Sequence, residues 1–303
     1  MALWVRVGSA DEKEGQFGLA HVQEHMLFKG TNRRGVGQIA REIEAAGGEI
    51  NAFTSFDHTC YYATLSSRFF ETGIDVLADA IQNSTFDAEE MDKELEVILE
   101  EVRRGEDSPR TVLMHRLFDL TYTNHPYGRP VIGTPESVSA LTREDILGFY
   151  RHWYIPNNVT LVIVGDLDVD RAKAAIEEKL AGWKRGPEMG TRVRPAEPEQ
   201  TQMRVDVYGG NATEVHVSTA FHVPHMTHQD APALDVLRLL LSYGETSPLV
   251  ERLDRELEWV NDISAGAYMP RDPGVFFVGF DYQPNDDHPG AAAVLGESLR
   301  MCT

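Results

Sequence analysis

His21, Glu24 and His25 lie close together in the stretch GLAHVQEHMLFKG (18–30), whose apolar positions otherwise describe an amphipathic helix. Positions i and i+4 of a helix lie one above the other on the same face, so the two imidazoles can be aimed at one point with Glu24 beside them. Neutral imidazole is a good zinc ligand, and a catalytic zinc takes three protein ligands with one position left open. Two histidines therefore need a third ligand from elsewhere, or else they are core histidines satisfied by hydrogen bonds.

Candidates for that ligand lie in FDAEEMDKELEVILEEVRRGEDSP (86–109), which reads as a long helix opening on acidic residues, closing on Arg103 and Arg104 and stopping at Gly105. Of Glu89, Glu90, Glu94, Glu96, Glu100 and Glu101, the pair Glu94 and Glu101 stands two turns apart on one face. They are interleaved with Leu95, Val97, Ile98 and Leu99, so this face is expected to turn inward. A buried carboxylate needs a partner, and a metal is one; the other reading is a solvated acidic face. His222, His225 and His228 in FHVPHMTHQD are expected on a surface loop, because Pro224 breaks any helix that would align them. His58, His115, His125, His152, His216 and His288 have no ligand partner at a useful spacing.

These side chains need a scaffold. ALWVRVGSA begins as a strand, GVGQIAREIEAAGG (35–48) has helical period and ends in a Gly pair, and INAFTSFDHTCYYATLS (50–66) reads as a hairpin. A helix is expected over residues 67–82, then the acidic helix, then two more before NVTLVIVGDLD (158–168), which reads as a buried strand. Helices and strands mix without regular βαβ alternation, which points to an α+β fold of mostly antiparallel sheets with packed helices. From Trp183 to Gln202, Gly, Pro and charge displace the apolar period, as in a linker. Beyond it the order strand, helix, helix, strand pair, helix recurs, with ALWVRVGS comparable to EVHVSTAF (214–221), a duplication at roughly 210 residues. The expected organisation is a first domain over 1–185 that carries the His and Glu cluster, a linker over 186–203 and an incomplete second homologous domain over 204–303 without a metal site.

A net charge of −20 argues against nucleic acid, whose phosphates require clustered Lys and Arg. Hydrophobic residues at 42% and charged residues at 25% describe a soluble globular chain. No apolar run approaches the roughly 20 residues that span a bilayer. Cys60 and Cys302 are too few for a disulfide framework or a cysteine metal site, so a metal here must be held by His and carboxylate. Both ends look cut: the first residues lack the sections of a signal peptide, and the last stop inside a helix-like pattern. The compartment, cytoplasmic or periplasmic, is therefore unread.

HVQEH followed by MLFKGT resembles the inverted HxxEH zinc motif of the pitrilysin/insulinase peptidases, which include mitochondrial processing peptidase and its shorter bacterial relatives. The likeness extends to GGEINAFTSFDHTCYY, ELEVILEEVRRGEDSP, HPYGRPVIGT and FYRHWYIPNNVTLVIVGDLD, in the family's order. The resemblance makes 1–185 a zinc-binding peptidase domain and implies one zinc per chain held by His21, His25 and Glu101, with Glu24 as general base and Glu94 as a supporting catalytic carboxylate. It also implies that Asn51 and Ala52, on an edge strand, pair with an extended peptide, and that Phe28 walls the pocket for the residue after the cut. The implied activity is endopeptidase action on peptides or unfolded segments by a metal-activated water. One departure stands out: where many members carry an Arg and a Tyr that contact the substrate carbonyl, SPLVERLDRELEWVNDISAG (247–266) has Asp254 and Asn261. The resemblance thus implies either a dimer, of this chain or with a related subunit that supplies the missing pair, or impaired activity. The rival expectation is a non-catalytic or half-site subunit of a processing-peptidase-like or respiratory-core-like assembly.

Overall fold

The computed structural model describes residues 1–210, 212–284 and 288–301; Cys302 lies outside them. In chain order the elements begin β1 (Ala2–Val5), α1 (Leu19–Leu27), α2 (Gln38–Ala45), β2 (Glu49–Thr54), β3 (Thr59–Thr64), α3 (Phe70–Asn83) and α4 (Ala88–Glu106). They continue with α5 (Pro109–Thr121), α6 (Pro135–Ser139), α7 (Arg143–Trp153), β4 (Val159–Val162), α8 (Val169–Leu180), β5 (Val215–Val223), α9 (Ala231–Ser242), β6 (Asp262–Tyr268), β7 (Gly274–Tyr282) and α10 (Ala291–Met301). This is the α+β mixture that the residue pattern predicts. Where two helices are expected between the acidic helix and β4, there are three.

The chain packs as two compact units that interleave: Met1–Arg103 with Pro130–Arg194, and Arg104–Arg129 with the chain from Pro195 onward. A linear division at 185 and 204 differs from this, because α5 belongs with the later residues. Its Arg110 pairs with Asp262 at 2.9 Å and also with Asp281, and the Tyr122 hydroxyl just after it donates to Pro273 O at 2.9 Å. No helix or strand lies between Leu180 and Val215 among the described residues, as the loss of apolar period there predicts.

The first unit is built on an antiparallel sheet ordered β2-β3-β1-β4. β3 (TCYYAT) is rich in β-formers and lies inside the sheet, with Cys60, Tyr61 and Ala63 almost wholly buried. β2 lies at the edge and alternates: Ile50 and Ala52 face the core, whereas Asn51 and Phe53 face outward. The left-handed Gly47 ends α2, and a side chain on Gly48 would collide with Thr64 O at 2.6 Å, so the Gly pair lets the chain turn into β2. β4 corrects the expectation of a buried strand: among the described residues it pairs only with β1, its residues alternate between half-buried and exposed, and Val164 just beyond it is 87% exposed.

α1 is held by Leu19, Val22, Met26 and Leu27, each essentially inaccessible and each worth roughly 1.5–3 kcal/mol of apolar burial. Its N-terminus lacks a side-chain cap of its own. Gly18 is left-handed with φ 93°, and Glu12 accepts from the N–H groups of Gly18 at 3.0 Å and Ala20 at 2.8 Å. The loop after α1 is fixed by Arg34, which is buried and pairs with Asp79 at 2.7 Å, Asp75 at 2.5 Å and Glu42 at 2.9 Å, while the Thr31 hydroxyl also donates to Asp79.

The second unit carries the antiparallel sheet β5-β7-β6. Its strands repeat the arrangement of the first, with β7 central as β3 is, and β6 and β5 in the places of β2 and β1. α9 stands where α1 does in that order and carries no histidine. Asp254 lies in a π-helical turn over Val250–Glu256, and the adjacent Arg255 is engaged by Glu245 at 2.5 Å.

Removing Arg34 should leave the buried Asp79 without a counter-charge and Asp75 with only Arg33 and Lys179. Arg34→Met is expected to cost about 3–5 kcal/mol in urea unfolding at pH 7. Desolvation raises Asp75, but Arg34, Arg33 and Lys179 outweigh it and bring the carboxyl from its ordinary 3.8 to about 2. A depressed carboxylate stabilises above its ordinary value, so this contribution is intact above about pH 4 and is lost as pH falls toward 2. The variant should therefore lose part of that acid dependence; an unchanged urea midpoint would contradict the role.

Candidate metal centre

α1 and α4 bring the predicted ligands together in the first unit. His21 Nε2 and His25 Nε2 lie 3.9 and 3.8 Å from Glu101 Oε2, and the ligating atoms of all three residues fall within 4.8 Å of one another. These separations are too long for hydrogen bonds. Two atoms each about 2.0–2.2 Å from one ion can stand up to ~4.2 Å apart, so each His–Glu pair is spaced for a shared zinc. The two rings meet edge to face with centroids 4.6 Å apart, and His21 Nδ1 is buried without a hydrogen-bond partner, so no such bond to that nitrogen competes for the ring. The residues fit the group that the spacing calls for.

A second carboxylate orients the centre. His25 Nδ1–H donates to Glu94 Oε1 at 2.9 Å, and Lys29, one turn beyond His25, pairs with the other oxygen of Glu94. An ionised carboxylate only accepts, so the proton sits on Nδ1 and the lone pair of the neutral ring is at Nε2, toward Glu101. Glu94 lies in the buried stripe of α4 with Met91, Ile98 and Val102, as predicted for its face; Val97 does not, being about half exposed. Glu101, at the edge of that stripe, is 39% exposed on its side chain against 17% for either histidine.

Burial, and after it the neighbouring His25 ring, pushes His21 down to about 4, so this imidazole is neutral near pH 7. Burial lowers His25, but Glu94, Glu101 and Glu24 outweigh it and raise the ring above its ordinary value. Burial would raise Glu94, yet His25 and Lys29 hold it below the usual carboxylate range. Burial raises Glu24, opposed by a hydrogen bond from the Thr54 hydroxyl.

Of the remaining predicted residues, Asn51 is exposed on the edge strand, and its Oδ1 accepts from the Ala52 N–H at 2.8 Å. Phe28 is partly buried and meets Tyr61 edge to face at 5.6 Å, a core contact. Sequence reasoning missed Thr54, Lys29 and Glu12. Lys29 could have been found from its i+4 spacing to His25. His222 corrects the loop expectation: it lies in β5, its ring against Tyr122, and only His225 and His228 follow Pro224. His216 also gains partners that its spacing hides. It bonds Asp281 at 2.7 Å near Glu214 in the second unit, but Arg110 already sits on Asp281 and supplies positive charge there.

The fold and the site together define a class, two-unit α+β proteins with an HxxEH helix answered by a glutamate from a second helix. The chain belongs to the insulinase family, peptidase family M16: residues 1–135 match the model of that peptidase family and residues 140–302 that of the peptidase M16 inactive domain. An uncharacterized zinc protease of Mycobacterium leprae is 34% identical over 261 residues, 84% of this chain and 57% of the relative. The uncharacterized zinc protease YmxG of Bacillus subtilis is 34% identical over 212 residues, 67% of this chain and 52% of the relative. A protease from Helicobacter pylori superposes with a TM-score of 0.93 at 27% identity, covering 99% of this chain and 72% of that one. The chain thus spans little more than half the length of these two curated relatives.

Glu94→Ala should leave α1 folded, because its apolar face holds it, but free the His25 ring. Chelator competition should show zinc affinity falling about 10- to 100-fold. An unchanged affinity would mean that Glu94 does not orient His25.

Proposed function

We propose that this chain carries the centre of a zinc-dependent endopeptidase that cleaves peptides or unfolded segments, with Glu24 as general base. The observation that carries this reading is the convergence of His21, His25 and Glu101 around one point with Glu24 buried beside them. Zinc held there would supply Lewis acidity and lower the pKa of water toward neutrality. His21 presents a neutral nitrogen, His25 an Nε2 that binds the ion once its proton is displaced, and Glu101 a carboxylate, a donor set suited to that ion. Glu24 takes the proton of the attacking water and returns it to the leaving amine. Its neighbourhood supports the assignment, since burial raises the carboxyl above its ordinary value, in the direction a general base needs, against the opposing hydrogen bond from Thr54. β2 offers an edge to which an extended peptide can add as a further strand, with Asn51 and Ala52 at the point of contact and Phe28 beside the ligand helix. Names of the relatives as zinc proteases agree with this chemistry.

A second reading has its own observation. Asp254 and Asn261 stand where the family resemblance leads one to expect an Arg and a Tyr, and the nearby Arg255 is held by Glu245. On that reading the chain works as one half of a dimer, with a second copy or a related subunit supplying those groups, or it serves assembly alone. No helix among the described residues is long and apolar enough to cross a membrane.

Glu24→Gln should retain zinc and lose peptidase activity by about 100-fold or more, whereas Glu101→Gln should weaken zinc binding itself. Zinc content and hydrolysis of a quenched fluorescent peptide, measured on the chain alone and mixed with a related subunit, check both. Equal zinc loss in the two variants would show base and ligand to be misassigned; an intact zinc site with no hydrolysis in any mixture would favour the assembly reading.

A further inference from the structure

Thr54 belongs to the edge strand β2, and its hydroxyl donates to Oε2 of Glu24. Residues two apart in a strand share a face, so Thr54 shares the core-facing side with Ile50 and Ala52, while Asn51 and Phe53 point away. The strand whose edge is offered to a peptide thus also holds the carboxylate that takes the proton.

The position of that hydroxyl is set by the fold. Thr54 stands opposite Thr59 in the hairpin, whose turn is closed by the Ser55 N–H donating to His58 O at 2.8 Å. The hairpin tip is pinned to the segment before α1: the Ser9 N–H donates to Ser55 O at 3.1 Å and the Ala10 N–H to Phe56 O at 2.9 Å. A Cβ on Gly8 would stand 2.2 Å from Ser55 O, so the two backbones touch there. Glu12, which ends the same segment, caps the N-terminus of α1. Residues 8–12 therefore brace both partners, the strand carrying Thr54 and the helix carrying Glu24.

We propose that Thr54 is a positioning residue: its hydroxyl anchors Glu24 Oε2 and turns Oε1 toward the water and the leaving amine, so that the base is aligned from the strand that receives the peptide. This rests on Glu24 being the general base. It requires only that the threonine hydroxyl donate and the carboxylate accept, which is the one polarity an ionised Glu24 permits.

Thr54→Val keeps the branched shape and β-propensity but removes the donor, and Thr54→Ser restores it. Steady-state peptidase kinetics should show kcat falling about tenfold or more in the valine variant, the worth of one hydrogen bond to a charged group, with KM and zinc affinity unchanged and the serine variant recovering. Independently of activity, the carboxyl carbon resonance of Glu24 in 13C-labelled metal-free protein, assigned with Glu24→Gln, should move in Thr54→Val and return in Thr54→Ser. Wild-type kcat and an unmoved resonance in Thr54→Val would overturn the proposal, as would equal losses in both variants, which mark a distorted strand. A wild-type chain that cleaves nothing, alone or mixed with a related subunit, defeats the endopeptidase reading, and the resonance then decides the placement of Glu24 alone.

Discussion

The hydrogen bond from His25 Nδ1 to Glu94 ties the ligand helix α1 to the acidic helix α4, and the geometry of the centre depends on it. It fixes which nitrogen of His25 faces Glu101 and draws Glu94 into an otherwise apolar stripe of α4. Glu101 follows two turns later on the same helix. Against the burial that would raise it, the hydrogen bond from His25 and the pairing with Lys29 together keep Glu94 ionised within the core. The contact thus joins tautomer, helix docking and ligand direction in one interaction.

Such a centre is costly to build, because buried carboxylates are stable only with partners. The structure meets the cost locally. Glu94 has His25 and Lys29, Glu24 has Thr54, and Glu12 has two N–H groups of the helix start. Glu101 remains the more exposed carboxylate, and it faces both histidines at distances that no direct hydrogen bond closes. Away from the centre, Arg34 does for the loop after α1 what Lys29 does for Glu94, gathering Glu42, Asp75 and Asp79 around one cation.

The helix period makes the histidine pair legible in the sequence, since i and i+4 must share a face whatever the fold. The same rule marks Glu94 and Glu101 as a pair, but it places Val97 with them when the packing of α4 turns it outward. Which glutamate stands nearest both histidines does not follow from local spacing; the meeting of α1 and α4 brings Glu101 there. Thr54 escapes notice because threonine is an ordinary strand former, and only tertiary contact shows its hydroxyl at Glu24. The interleaved units are hidden for a similar reason. What assigns α5 to the second is its packing against β5, far along the chain, with Arg110 reaching Asp262 and Asp281 beside it. The apolar run of β4 reads as buried because composition reports β-propensity, whereas position at the sheet edge decides exposure.

The central claim is that the helices α1 and α4 enclose a single zinc position. Crystals of the purified protein with zinc, measured on both sides of the zinc absorption edge, test it most directly. The account predicts one strong anomalous peak bounded by His21 Nε2, His25 Nε2 and the Glu101 carboxylate. A zinc peak at Glu214, His216 and Asp281 instead, or none between α1 and α4 in crystals soaked with the ion, would contradict it.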